Sequence, residues 1–327
     1  MKRLALATIA ASLLCACGAE QTSPEGEVSP AIAHLTELVD TLQANALNRR
    51  KIDWASFRSA VFAKAAGAYE VEEAYPAIEE ALRRLGDRGH SSYRSADGNV
   101  VLKASSGSCM PGDTTRPELP ASIGYVRVRP FLGTGAPALE YANGIQQAIR
   151  EADRPDLVGW IVDLRGNHGG NMWPMLAGIG PVLGEGVVGW FVDPDETYTP
   201  WSYEDGRARA GTTVIQQVSS PYRLERPNPR VAVLYDGRVA SSGEAIAIAF
   251  RGRPNTRSFG TPTCGYSTGN RGFRLTNGAM LTLTTVTMAD RHLTVYGDTV
   301  WPDEVIPDAA AAIEAAVEWL LAGALEK

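Results

Sequence analysis

The chain has 327 residues, enough for one large domain or two small ones with a sizeable core. It is 44% hydrophobic and 21% charged, ordinary for a globular protein, and its formal charge of −6 comes from scattered acids. That balance argues against a nucleic-acid-binding surface.

Lys2 and Arg3 precede an apolar run, Leu4 to Leu14, that is too short for a resident transmembrane helix and reads as an export signal. Leu14, Ala16 and Cys17 resemble a lipobox, in which the cysteine is acylated and becomes the mature N-terminus. Cys15 is an unusual intervening residue, and an ordinary signal cut slightly later is the alternative. The expectation is a signal peptide over residues 1–16, attachment to a bacterial membrane through lipidated Cys17, and a polar, Pro-bearing tether over 17–30. This would place the protein in the cell envelope, periplasmic or outer-membrane-associated.

Residues 31–90 read as a small N-terminal helical subdomain. "AIAHLTELVDTLQANAL" and "EVEEAYPAIEEALRRLG" carry apolar residues at helical spacing, Pro76 predicts a kink or a fresh start, and Gly86 and Gly89 close the region. His34 falls on the first of these helices, where a surface position is expected. A polar stretch, 91–120, then leads into alternating strand and helix: strands at 123–131, 157–166, 186–193 and 230–237, and helices at 137–152, 171–183 and after Ser241. The run at 157–166 is almost continuously apolar, as a buried parallel strand would be. Residues 194–229 are polar and turn-rich and read as a cap or flap excursion. Trp190, Trp201 and Tyr203 are placed either to line such a cap or to join the core. Residues 271–290 read as a hairpin turning at Asn277-Gly278, and a last helix spans roughly 308–325. The pattern predicts an α/β fold with a partly parallel sheet over 91–327.

Functional loops of such sheets lie at the carboxyl ends of strands. One of these ends is "DLRGNHGGN" (163–171), where Gly166, Gly169 and Gly170 allow backbone N–H groups to point outward as a site for negative charge. A tight turn is the plainer reading, and no Gly-Lys-Ser/Thr follows to suggest phosphate binding. The other end is "RVASSGEA" (238–245). Ser241 there reads first as a helix N-cap with Glu244 completing a capping box; a nucleophile exposed at a strand–turn–helix junction is the sharper alternative. A nucleophilic serine needs a base, for which His34, His90, His168 and His292 are the histidines available; Lys327 is the only lysine after Lys103. Cys109 and Cys264 are a possible disulfide in an exported protein, or two free thiols.

Taken in order, "GYVRVRPF", "IVDLRGNHGGN", "VASSGEA", "SFGTPTCGYSTGN" and "VWPDEVIP" resemble the S41 serine peptidases, the family of C-terminal processing proteases, the tricorn core and the nisin-resistance type. The resemblance covers roughly residues 80–310 and implies a ClpP/crotonase-like core. It implies Ser241 as the nucleophile, and an oxyanion hole from the N–H groups of Ser242 and of Gly169 or Gly170. In the processing-protease branch a lysine falls where this chain has Tyr266. The branch that uses histidine has its base in the segment matching "DRGHSSY", hence His90. Gly89 stands where the tricorn branch has a serine, and there is little room for a PDZ-like module.

Glu244 is expected to orient the site or to satisfy the helix start, and Asp87 and Asp303 are the candidate carboxylates to orient His90. No metal or cofactor is implied. The expected activity is a serine endopeptidase or carboxy-terminal-processing peptidase acting on peptides or proteins. A catalytically weak or inactive lipoprotein that binds a peptide or a hydrophobic ligand is the alternative, and labelling of Ser241 by a serine-directed probe distinguishes the two. A role against an antimicrobial peptide rests on the resemblance alone. Arg165 and Arg271 are candidate cations for a substrate carboxylate.

Overall fold

The computed structural model describes residues 28–325, apart from 105–108, 111, 113 and 114. The export signal, Cys17 and most of the tether lie outside the described residues.

Helix α1 (Pro30–Asn45) starts where the Ser29 hydroxyl accepts from the N–H of Ile32, with Pro30 in its first turn. Helix α2 (Trp54–Lys64) is capped by Asp53, which accepts from the N–H groups of Ala55 and Ser56. A short 3-10 turn, Val71–Ala74, feeds α3 (Tyr75–Arg84), so Pro76 marks a fresh start rather than a kink. Gly86 and Gly89, both at positive φ, then redirect the chain into β1 (Ser92–Arg94) and β2 (Val101–Lys103). The remaining elements are, in order, β3 (Ile123–Arg127), α4 (Gly135–Ala152), β4 (Gly159–Asp163), α5 (Met172–Leu183), β5 (Gly186–Val192), β6 (Tyr198–Glu204), β7 (Arg207–Ala210) and β8 (Thr213–Gln217). Next come β9 (Val231–Tyr235), α6 (Ser242–Phe250), β10 (Thr256–Gly260), β11 (Thr268–Arg274), β12 (Met280–Asp290), β13 (Glu304–Val305) and α7 (Ala309–Leu325).

These strands form two sheets. One is wholly parallel, in the order β13-β10-β9-β4-β3. Every residue of β4 and β9 is buried, which is why both read as continuous apolar runs. On one face Ile161, Ala232, Leu234 and Phe259 pack against Ala316 and Leu320 of α7. On the other, Trp160, Val162 and Val233 share a core with α4, α5 and α6. The second sheet is antiparallel, in the order β2-β1-β12-β5-β6-β7-β8, with β11 also paired to β12.

The N-terminal helices have no core of their own. Leu35, Leu38, Leu42, Ile78 and Leu82 pack with Tyr93, Leu281 and Leu283 of the antiparallel sheet. His34 belongs to that core: it is 5% exposed, and its Nε2 lies 3.0 Å from the Tyr93 hydroxyl, so the expected surface position is corrected. Residues 194–229 carry β6, β7 and β8, which extend the antiparallel sheet. Trp201 and Tyr203 are core residues rather than the lining of a cap, and Tyr203 lies so close to Gly180 of α5 that a Cβ there would collide with its ring.

Candidate active site

The loop from β9 to α6 is fixed before it reaches Ser241. The Asp236 carboxylate accepts from the backbone N–H of Gly166 and of Arg238, at 3.1 and 3.0 Å, and the N–H of Ala240 donates to Asn167 O at 3.0 Å. Ser241 then takes φ 53 and ψ −117, a conformation that a residue with a side chain rarely adopts. Such strain costs about 1–3 kcal/mol and persists only where the surroundings enforce it. Here one enforcing contact is Glu244, whose Oε2 accepts from the N–H of Ser241 at 2.9 Å. Fully buried, Glu244 also accepts from the Thr263 hydroxyl and from the N–H groups of Gly265 (2.8 Å) and Tyr266 (2.7 Å). Burial pushes its pKa up to about 7, against the pull of these four donors. Glu244 thus ties the backbone of Ser241 to the 263–266 loop, and no bond joins it to His90.

His90 comes from the loop between α3 and β1. Asp87 builds that loop, accepting from the N–H of Gly89 and from both the N–H and hydroxyl of Ser91, while Asn270 Nδ2 donates to His90 O at 3.1 Å. The ring lies between two hydroxyls. Nε2 is 3.1 Å from Ser241 Oγ, across 151 residues of sequence, and Nδ1 is 2.7 Å from Thr268 Oγ1 at the start of β11. For Nε2 to accept a proton from Ser241, Nδ1 must carry the ring hydrogen and donate it to Thr268. Burial lowers the His90 pKa to about 4, with the Asp87 charge acting in the opposite sense. The Tyr266 ring flanks it at 5.1 Å between centroids.

Neither expected orienting carboxylate meets the imidazole. Asp87 directs its oxygens to its own loop. Asp303 is held by Arg251 at 2.7 Å and by the hydroxyl and N–H of Ser258, on the wall of a different cavity. Thr268 occupies the orienting position. It lies inside the segment "GYSTGN", but no spacing or motif marked it; only the hairpin's register brings it to His90. Of the other histidines, His168 is exposed on the groove beside Ser241, and His292 lies 3.3 Å from Gly252 O.

The glycine loop divides its two candidate donors. The N–H of Gly169 is already engaged by Asn167 Oδ1 at 3.0 Å, so Gly169 is corrected as an oxyanion donor. What its position requires is the absence of a side chain. At φ +99 a Cβ would lie 2.7 Å from Ala240 O and 2.9 Å from both Ser241 Cβ and Ser242 N. Among the described residues no acceptor bonds the N–H of Gly170 or of Ser242. Both residues line, with Ser241 and His90, a groove of about 950 Å³. The Ser242 hydroxyl donates to Gly170 O at 2.6 Å and locks the two loops together. Tyr266 also lines this groove. Cys109, another lining residue, is joined to Cys264 in a disulfide. Arg165 is buried in a two-point ion pair with Asp163, and Arg271 lies over the Phe273 ring outside the groove lining, so neither expected cation faces the site. Among the described residues no cluster of His, Cys, Asp or Glu has the makings of a metal site.

This arrangement suits acyl transfer: a serine at a strained strand–turn–helix junction, a neutral imidazole on its hydroxyl, and two unengaged N–H groups beside it. The sequence profile of Peptidase family S41 matches residues 122–308, a span that holds Ser241, Thr268 and the glycine loop but not His90. The nisin-resistance protein of Lactococcus lactis subsp. lactis is 25% identical over 299 residues, covering 91% of this chain and 87% of that protein. The solved structure of a lipoprotein from Streptococcus agalactiae aligns with TM-score 0.68 at 22% identity, covering 89% of this chain and 96% of that one. The photosystem II D1 C-terminal processing protease aligns with TM-score 0.56 at 14% identity, covering 89% and 98%. These two structural likenesses are likenesses of fold.

Proposed function

The chain belongs to peptidase family S41, and from that premise we propose that it is an exported serine endopeptidase or carboxy-terminal-processing peptidase working through a Ser241–His90 dyad. The observation that carries this reading is the 3.1 Å approach of His90 Nε2 to Ser241 Oγ. As Ser241 attacks the scissile carbonyl, His90 takes its proton at Nε2, while the Nδ1–H stays directed at Thr268. The N–H groups of Ser242 and Gly170 receive the oxyanion; each such donor typically contributes about 3–4 kcal/mol to the transition state. His90 then protonates the leaving amine, and water releases the acyl-enzyme. Asp87 and Glu244 act as positioning residues, one for the base loop and one for the nucleophile.

Export is supported by the signal-like first 16 residues and by the Cys109–Cys264 disulfide, a bond typical of oxidising compartments. Lipidation of Cys17 would then hold the enzyme to the membrane. The test uses the mature protein, a fluorophosphonate probe and a peptide library. Wild-type protein is expected to be labelled at Ser241 and to cleave. Ser241→Ala abolishes labelling, and both Ser241→Ala and His90→Ala lower cleavage by at least about 10³-fold with unchanged circular dichroism. Full activity in His90→Ala would remove the proposed base.

A further inference from the structure

Among the described residues no Asp or Glu lines the groove beside Ser241, whereas Lys103 and Arg238 do. This runs against the chain as a whole, in which 37 acids outnumber 31 Lys and Arg. Elsewhere on the surface some arginines are neutralised, Arg88 by Asp298, Arg251 by Asp303 and Arg257 by Glu304, while Arg94 and Arg274 have no ion-pair partner among the described residues. Among the described residues neither Arg238 nor Lys103 has an ion-pair partner, and both are exposed. The reason is plainest at Arg238. Its nearest acid in sequence, Asp236, is turned onto the backbone N–H groups of Gly166 and of Arg238 itself. The loop that carries the guanidinium is also held still, by Val239 N–H on Asp236 O at 3.0 Å and Cys264 N–H on Val239 O at 2.9 Å. Arg238 therefore stands three residues before the nucleophile as an unneutralised fork on a fixed support, the geometry that suits two-point binding of a carboxylate. Cations gathered on a low-dielectric cleft also raise the local concentration of an anionic ligand, even on an acidic protein. The rest of the wall, with Leu132, Met172, Trp173, Phe191 and Met288, is apolar.

We infer that this groove selects peptides presenting a carboxylate close to the scissile bond, with Arg238 as the residue that binds it and Lys103 adding to the attraction. The carboxylate is either the free end of a chain or an Asp or Glu side chain, with apolar residues beside it. The inference rests on the peptidase reading for the cleavage of a bound peptide, but not for the binding itself.

The experiment therefore measures affinity with Ser241→Ala protein, which holds peptide without turning it over. The probes are fluorescein-labelled Leu/Ala peptides that end as free acid or amide and carry Asp or Asn at an internal position. Carboxylate-bearing peptides are expected to bind about tenfold more tightly than their neutral twins, a difference of about 1.4 kcal/mol. The arm that shows the advantage identifies the source of the carboxylate. Adding Arg238→Gln collapses the ratio towards one, and adding Arg238→Glu turns the preference towards a Lys-bearing peptide. Equal affinity for all four peptides, or a ratio that survives Arg238→Gln, overturns the inference. The peptidase reading fails separately, if wild-type Ser241 resists the fluorophosphonate and cuts nothing while the binding preference persists.

Discussion

His90 is held by hydroxyls on both sides, and this shapes its chemistry. A hydroxyl at Nδ1 can accept the ring hydrogen in the tautomer that leaves Nε2 free to accept a proton, the tautomer that the acceptor-only aspartate of a serine-protease triad enforces. Unlike aspartate, it brings no negative charge to stabilise the imidazolium formed during attack. Burial dominates and brings the His90 pKa to about 4, so the ring is neutral through the physiological range. Protonation removes the acceptor, so kcat/KM is expected to fall as the pH drops through about 4, well below the range of a free imidazole. Thr268→Ser keeps the 2.7 Å contact and is expected to stay active, whereas Thr268→Val removes the acceptor and lowers kcat by about 10–10²-fold. Thr268→Asp places a carboxylate on Nδ1 and is expected to move the acid limb upward; a limb that stays fixed would reduce Thr268 to a packing role. Linkage gives two opposed stability terms. The depressed pKa of His90 makes the folded state lose stability as pH falls from the unfolded imidazole value towards about 4. The raised pKa of Glu244 gives a contribution that is full below the unfolded carboxylate value and is lost as pH rises through about 7. Thermal midpoints of His90→Ala and Glu244→Gln across pH, set against wild type, separate the two.

At the level of elements, the site is a junction of the loops that leave β4 and β9, with β11 laid across them. The Ser242 hydroxyl ties the first two by donating to Gly170 O, whose residue also supplies a proposed oxyanion donor. Ser242→Ala keeps the backbone N–H but cuts that tie. The expected result is labelling of Ser241 with kcat reduced about tenfold, from a loop no longer held in register; unchanged kcat would show that the glycines hold the loop unaided. Much of this junction is legible in the sequence. Apolar runs announce β4 and β9, Asn277-Gly278 announces the turn between β11 and β12, and paired small residues announce the start of α6. Strands β6 to β8 are not legible, because few of their residues are buried, none of them in β8, and they lie between Pro-, Gly- and Asp-rich turns, so that they resemble a polar loop. Nor can sequence choose between Gly169 and Gly170, since the choice depends on which N–H Asn167 captures. Thr268 is hidden for a related reason: cross-strand register, not local pattern, carries it to His90. The pairing of position 90 with position 241 comes from resemblance to a family, because spacing along a chain gives no distance through space.

Across the whole molecule, the proposed dyad straddles the two sheets. Ser241 follows a strand of the parallel sheet, while His90 and Thr268 belong to the antiparallel sheet and the helices packed on it. Catalytic geometry therefore depends on how firmly the two halves are docked, and the Cys109–Cys264 bond lies at that boundary. It joins the passage from β2 to β3, where the chain crosses from one sheet to the other, to the loop that follows β10. The same loop presents the N–H groups of Gly265 and Tyr266 to Glu244, and Cys264 N–H bonds Val239 O just ahead of Ser241. A crosslink spanning 155 residues removes much freedom from the unfolded chain, typically about 2–5 kcal/mol of stability. Both cysteines are part-exposed, so a reductant can reach them. Dithiothreitol is expected to lower the unfolding free energy of the wild type by that amount, read as a fall in the urea midpoint at a known m-value, and to leave a Cys109→Ser/Cys264→Ser protein unchanged. Loss of the bond also loosens the support of Glu244, and through it the strained backbone of Ser241, so kcat should fall at urea concentrations where the protein remains folded by circular dichroism. If reduction shifted the midpoint but left kcat untouched, hydrogen bonds around Glu244 would suffice to hold the nucleophile, and the disulfide would serve stability alone.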